Sequence, residues 1–303
     1  KYKSLKIGLV YSNPAMRNVI QQVFAHTPGL RKTDVIAPID VTKHHYDIII
    51  CDEAQRLRQA KNIGRYIVHF KKGNERLHLD NSHDELDWLL LNAGRLILFY
   101  DPKQIVCPSD ISQTKFDGRL KDRKRGIRPV ELKEQMRIHA GSQYVPYIYD
   151  ILFQRNNISK KFVNYDFKLF SSFQDMWNAL EEKEAAVKLC RFCSGYGWPW
   201  VSKEDSKKPD IQLEGREIWL NRQTDGWLQN PEAKLEMGSI YSLAGLDINY
   251  AAVIIGPDLI YDIKDQKIKV NRQNYFDNKV KQGMYIHGIK VVGGREVIVS
   301  SAK

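Results

Sequence analysis

The sequence predicts an α/β fold built on doubly wound parallel sheets, and three observations carry that expectation. Short apolar runs such as "KIGLVYS" and "YDIIICDEA" alternate with helical segments, as βαβ units do. The stretch "YDIIICDEAQRL", residues 46–57, reads as a strand apolar on both faces, the pattern of a parallel strand with helices packed on each side. That run passes directly into Asp52 and Glu53, with no turn residue between core and charge. Ligands of open parallel sheets bind at the carboxyl ends of the strands, so two carboxylates placed there are candidates for chemistry.

Taken in order, "KIGLVYS" is the first strand and "PAMRNVIQQVFAHT" a helix with Pro14 in its first turn, where the missing N–H costs nothing. After "YDIIICDEA" comes a polar insertion containing His and Asn. It leads to "SHDELDWLLLNAG", a helix expected to be capped by Ser82 with Glu85 at the capping-box position and to end at Gly94. The strand "RLILFYD" follows. "SQTKFDGRLKDRKRGIRP" is dense in Lys and Arg and reads as a solvated crossing, which sets a first domain at 1–125 and a second at 126–303. The second half opens with the helix "AGSQYVPYIYDILF" and continues with strands near "FKLF" and "LCRFCSGY". A Trp-rich polar insertion spans about 197–230, and "AAVIIGPDLIYD" closes the pattern.

Composition narrows the partner class. At 303 residues the chain is long enough for two domains. Its 47 basic and 36 acidic residues give a formal charge of +11, which favours a polyanion such as nucleic acid over an acidic small molecule. Four cysteines are too few for a disulfide framework and fit a reducing cytoplasm. Cys190 and Cys193 form a CxxC without a second pair or a His at zinc-ligand spacing, so they read as packing thiols. The most apolar region, "WLLLNAGRLILFY", is interrupted by Asn92 and Arg95, short of the roughly 20 apolar residues of a membrane span. His44 and His45 lack a partner at helical spacing and read as a solvated turn. Trp198, Trp200, Trp219 and Trp227 lie with Lys203, Lys207 and Lys208 in one insertion that could stack bases. For Trp198 and Trp200, which flank Pro199, core packing is the favoured reading.

Two neighbouring carboxylates at a buried strand end suit a magnesium nucleotide site, where Asp holds the metal or its water shell and Glu deprotonates the attacking water. For Asp-Glu alone, a strand that simply ends in an acidic turn is an equal alternative. "LILFYDPKQ" places Asp101 and Gln104 after another buried strand, and a Gln there can bond both the γ-phosphate and the attacking water. Paired with "DEAQR", that arrangement is more specific than either part.

"IIICDEAQRL" resembles the Walker B segment of P-loop helicases, "ILFYDPKQIVCPSDI" their third motif, and "ELKEQMR" the motif that supplies an Arg to the nucleotide. "GSIYSLAGLDINYAAVIIG" is similar to the fifth motif. More closely, "KIGLVYSNPAMR", "DELDWLL", "SGYGWPW" and "NRQNYFD" resemble the bacterial and phage Schlafen group 3-like DNA/RNA helicase domain, a superfamily 1 helicase-like family, over about residues 5–283. The resemblance implies two RecA-like P-loop NTPase lobes with ATP and Mg²⁺ between them and a DNA or RNA strand, single-stranded, across their top. It implies Asp52 as the magnesium-side carboxylate acting through water, Glu53 as general base and Gln104 as γ-phosphate sensor. Arg137 would be an arginine finger in cis. Gly245 and Asp247 would lie in the loop that couples nucleotide to nucleic acid. Ser12, Asn13 and Arg17 would touch phosphates, although "SNPAMR" also reads as a plain strand-to-helix turn.

The implied function is an ATP-dependent helicase or translocase motor, with a non-hydrolysing RecA-like nucleic-acid-binding module as the alternative. Two departures bear on that choice. No G-x-x-x-x-G-K-[ST] occurs, and since Lys1 lies just before the first strand, the N-terminal phosphate-loop segment is expected upstream, about one helix away. The tail "MYIHGIKVVGGREVIVSSAK" shows no Thr-Arg or Leu-Arg-Gly sixth motif, and Arg295 is its only arginine.

Overall fold

The computed structural model describes residues 5–121, 126–132, 138–153, 160–163, 165–222, 227–228, 230, 233, 236–243, 245–281, 289–292 and 295–298. Two units make up the chain: Lys1–Arg128 with Asn278–Lys303, and Pro129–Asp277.

In unit 1 the apolar runs form β1 (Ile7–Val10), β2 (Val35–Ile36), β3 (Tyr46–Cys51) and β4 (Ala93–Leu98). Helices α1 (Pro14–Ala25), α2 (Pro38–Val41), α3 (Ile67–Arg76), α4 (Glu85–Asn92) and α5 (Gln113–Lys121) surround them. The sheet order is β2-β1-β3-β4 and every pairing is parallel, so all four carboxyl ends lie along one edge. Register places Val10 beside Cys51 and Cys51 beside Leu98. These residues share one sheet face, and that face packs on Phe70, Leu86, Trp88 and Leu89 from α3 and α4. Trp88 is fully buried, with its indole N–H donating to Asn74 Oδ1 at 2.6 Å. Burying each such side chain stabilises by about 1.5–3 kcal/mol.

The opposite face of β3 is less covered than its apolar sequence predicts. Ile48 and Ile50 are half-buried, and beside Ile50 stands Ile97, 47% exposed. α1 packs along β2 and buries none of its own residues, so the β3–β4 side of that face stays open among the described residues.

Three local expectations are corrected. The cap of α4 is Asp84, which accepts from Leu86 N and Asp87 N at 3.0 and 3.3 Å, while Asp87 returns a bond from Asp84 N at 2.9 Å. Ser82 instead donates to Asp80, and Glu85 faces inward to accept from Arg58 N and the Tyr66 hydroxyl. Gly94 lies inside β4 rather than ending the helix, because a Cβ there would come 2.9 Å from Asp47 O on the neighbouring strand. The first half of the basic stretch is helix α5, held by Phe116 stacked on Tyr100 at 3.9 Å and by Lys115 at 3.0 Å from Asp84.

Unit 2 contains α6 (Tyr144–Leu152), α7 (Phe173–Val187), β5 (Cys190–Ser194), β6 (Ile211–Leu213), β7 (Arg216–Leu220), β8 (Glu236–Ser239), α8 (Ile240–Leu243), β9 (Tyr250–Ile254), β10 (Leu259–Asp262) and β11 (Lys267–Val270). Its main sheet runs β6-β7-β8-β5-β9, parallel except for the β6–β7 hairpin. β10 and β11 form a separate antiparallel hairpin. α7 lays Phe173, Trp177 and Leu180 over β5, with Trp177 stacked on Phe192 at 4.9 Å. α9 (Asn278–Lys281), β12 (Ile289–Val292) and β13 (Arg295–Ile298) belong to unit 1.

"FKLF" forms no strand: Leu169 is 85% exposed, and Phe167 turns to pack on Tyr144 and Tyr147 rather than joining a ladder. The supposed polar insertion supplies β6 and β7, so Trp219 belongs to the sheet. Trp198 and Trp200 pack against the second core as expected. Cys190 and Cys193 are buried free thiols, and His44 and His45 lie exposed in a turn. Among the described residues no helix is long and apolar enough to cross a membrane.

Candidate functional site

The carboxyl edge of unit 1 gathers six of the residues singled out from sequence. Asp52 and Glu53 follow β3, Ser12, Asn13 and Arg17 follow β1, and Gln104 follows β4. Parallel neighbours force this gathering, because adjacent strands that run the same way finish at the same height. Backbone bonds lock the ends together: Asp52 N donates to Val10 O at 3.3 Å, Phe99 N to Cys51 O at 2.9 Å and Ala54 N to Phe99 O at 2.7 Å.

Glu53 stands in the left-handed region, with φ 52° and ψ 45°, and turns the chain sharply after Asp52. Such a conformation costs a non-glycine residue about 1–3 kcal/mol and persists only where the surroundings determine it. Gln55 supplies much of that determination. Its side chain is 1% exposed, with Nε2 donating to a Glu53 carboxylate oxygen and Oε1 accepting from Asp101 N at 3.1 Å. One buried amide therefore spans the ends of β3 and β4.

Asp52 accepts from Glu53 N at 2.9 Å and lies against Tyr11. Burial first, then the Asp52 charge and a hydrogen bond to it, hold the Tyr11 phenol well above its usual range. Gln104 is exposed, with its amide donating to Asp101 Oδ2 at 2.9 Å. Asn13 caps α1 through Ala15 N at 3.0 Å, and Arg17 donates to Tyr11 O at 2.9 Å, so both have local structural work. Ser12 is 8% exposed, and its hydroxyl has no hydrogen-bond partner among the described residues.

Behind this edge, Glu85 accepts from Arg58 N at 2.8 Å and from the Tyr66 hydroxyl at 2.7 Å, and the Arg58 guanidinium lies 4.2 Å over the Tyr66 ring. Burial pushes the Glu85 carboxyl up to about 7 despite those donors and the Arg58 charge.

The remaining predicted residues lie elsewhere. Gly245, with φ 85°, and exposed Asp247 follow α8 in unit 2. Arg137 lies outside the described residues. Two residues at the unit 1 edge were missed by sequence reasoning, Tyr11 and Gln55. Gln55 was visible only as a letter of "DEAQR", and Tyr11 had no sequence signal beyond ending a strand beside "SNPAMR".

Among the described residues no group of three or more His, Cys, Asp or Glu could cage a metal ion. The donor set at the edge is instead Asp52 beside Glu53, which fits an ion that keeps most of its water and takes one or two carboxylates, as Mg²⁺ does.

The family model for the Schlafen group 3 DNA/RNA helicase domain matches residues 5–286. The yeast (Saccharomyces cerevisiae) protein YPL245W, described as uncharacterized, is 26% identical over 273 residues. That match covers 82% of this chain and 57% of the yeast protein, so the likeness reaches beyond bacteria and phages. No solved structure matches the chain. From residue 5 to 286, the chain belongs to the Schlafen group 3 DNA/RNA helicase domain family.

Proposed function

We propose that the chain is the motor domain of an ATP-dependent nucleic-acid helicase or translocase with two RecA-like lobes, one in each unit. The observation that carries this reading is the Gln55 amide, which joins the Glu53 carboxylate to the end of β4 and so builds one site from two strand ends. A strand that merely ended in an acidic turn would have no use for a buried amide holding its second carboxylate.

Asp52 would hold Mg²⁺ through water, and Mg²⁺·ATP supplies a phosphoryl group with its charge partly neutralised. Glu53, aimed by Gln55, takes the proton of the attacking water. Gln104 offers its amide to the terminal phosphate from its place on Asp101, and Arg137 serves as the arginine finger. Gly245 and Asp247 couple nucleotide to strand in unit 2. The partner is single-stranded DNA or RNA, held in unit 1 by Ser12, Asn13 and Arg17. The +11 charge suits the polyanion. Free thiols fit a cytoplasmic setting.

Glu53→Gln in the full-length protein tests the reading. It keeps shape and removes the proton acceptor, so nucleotide affinity persists while strand-stimulated ATP turnover falls about 10²- to 10⁴-fold. Turnover at the wild-type level removes Glu53 from the mechanism. Strand binding without turnover in the wild-type protein gives the chain to the alternative, a non-hydrolysing module.

A further inference from the structure

The carboxyl edge of unit 2 holds a second constructed feature, centred on Asn221. β5 and β8 are sheet neighbours, and in the order β6-β7-β8-β5-β9 the connections that leave them cross, from β5 past β8 toward β6 and from β8 past β5 toward β9. Tyr196, Ser239 and Ser242 come together at these strand ends, and Asn221 at the end of β7 ties the three to one another.

Asn221 is 8% exposed and left-handed at φ 47°. Its N–H donates to Met237 O at 3.0 Å, so the backbone alone would complete the β7–β8 ladder. The side chain does more. Oδ1 accepts from Ser239 N at 2.9 Å and from the Ser242 hydroxyl at 2.7 Å, using both lone pairs, while Nδ2 donates to the Tyr196 hydroxyl at 3.2 Å. With the Ser242 proton committed to Asn221, the Ser239 hydroxyl, 3.4 Å away, is the donor of the serine pair. A glycine would relieve the left-handed backbone and lose every one of these ties.

We propose that Asn221 is a positioning residue for single-strand binding at this edge, acting through Ser239 and Ser242 to hold the segment that leads to Gly245 and Asp247. This rests on the nucleic-acid reading above. The amide sets the direction of two hydroxyls and the exit of β8, so the loop meets the strand already ordered.

The test measures fluorescence anisotropy of a labelled single-stranded 20-mer, in DNA and RNA versions, with the full-length protein at fixed salt. Asn221→Gly leaves the backbone conformation accessible and is expected to weaken binding about 10-fold, Ser242→Ala about 3-fold. The double variant is expected to bind no more weakly than Asn221→Gly, because one change acts through the other. Wild-type affinity in Asn221→Gly, or a double variant weakened about 30-fold by simple additivity, overturns the proposal. Should Asn221→Gly lose its cooperative melt, Ser242→Ala decides alone, and wild-type affinity there overturns it. A wild-type protein that binds neither strand defeats the nucleic-acid reading itself, a different outcome from variants that bind as well as wild type.

Discussion

The carboxyl edges of the two units use the same device for different ends. In unit 1 a buried Gln55 joins two strand ends and holds a left-handed Glu53, leaving two carboxylates at the edge. In unit 2 a buried, left-handed Asn221 joins three strand ends, and its partners are hydroxyls and backbone. An amide can donate and accept at once, so it can bridge unlike groups without adding charge. The difference lies in what is held: the first edge has groups able to move a proton, the second has groups able only to orient.

Gln55→Leu is the sharpest way to break that contrast. It removes the donor to Glu53 and leaves Asp101 N unpaired, at a stability cost of about 1–3 kcal/mol. ATP turnover is expected to fall about 10²-fold with KM little changed, because an unaimed base is lost in the transition state rather than in binding. Steady-state ATPase kinetics check it, and an unchanged kcat would make the two edges alike.

The pH dependence of stability should separate the units next. Glu85 in unit 1 keeps its proton up to about pH 7, against an ordinary 4.5 in the unfolded chain. The native state therefore binds more protons between those values, and stability falls as pH rises through that window. The loss is up to about 3 kcal/mol and levels off above the folded value. Differential scanning calorimetry from pH 5 to 8 is expected to show the melting temperature of Glu85→Gln gaining on wild type as pH rises.

Smaller effects should mark the two cores separately. A Cβ on Gly73 would come 2.5 Å from Trp88 Cζ2, and one on Gly238 would overlap the Trp227 ring. Each Gly→Ala change is expected to cost about 1–3 kcal/mol through overpacking. Calorimetry should show Gly73→Ala lowering the transition of unit 1 and Gly238→Ala that of unit 2, since the clusters around Trp88 and Trp177 are distinct.

Sequence by itself determined the parallel α/β character, the strands that carry Asp52, Glu53, Asp101 and Asn13, the helix beginning at Pro14, and the packing role of Cys190 and Cys193. Those features depend on local periodicity and on residue types whose preference is set by their neighbours along the chain. Tertiary structure decided the rest. The α4 cap moved to Asp84 because Glu85 found partners in Arg58 and Tyr66, distant in sequence. The first half of the basic stretch became α5 because Phe116 found Tyr100 and Lys115 found Asp84. Leu169 stayed exposed because Phe167 turned to Tyr144 and Tyr147, and among the described residues no strand pairs with "FKLF". Gln55 and Asn221 show the limit most clearly: a single amide has no period and no spacing, and its role exists only once folding has brought together the strand ends it joins.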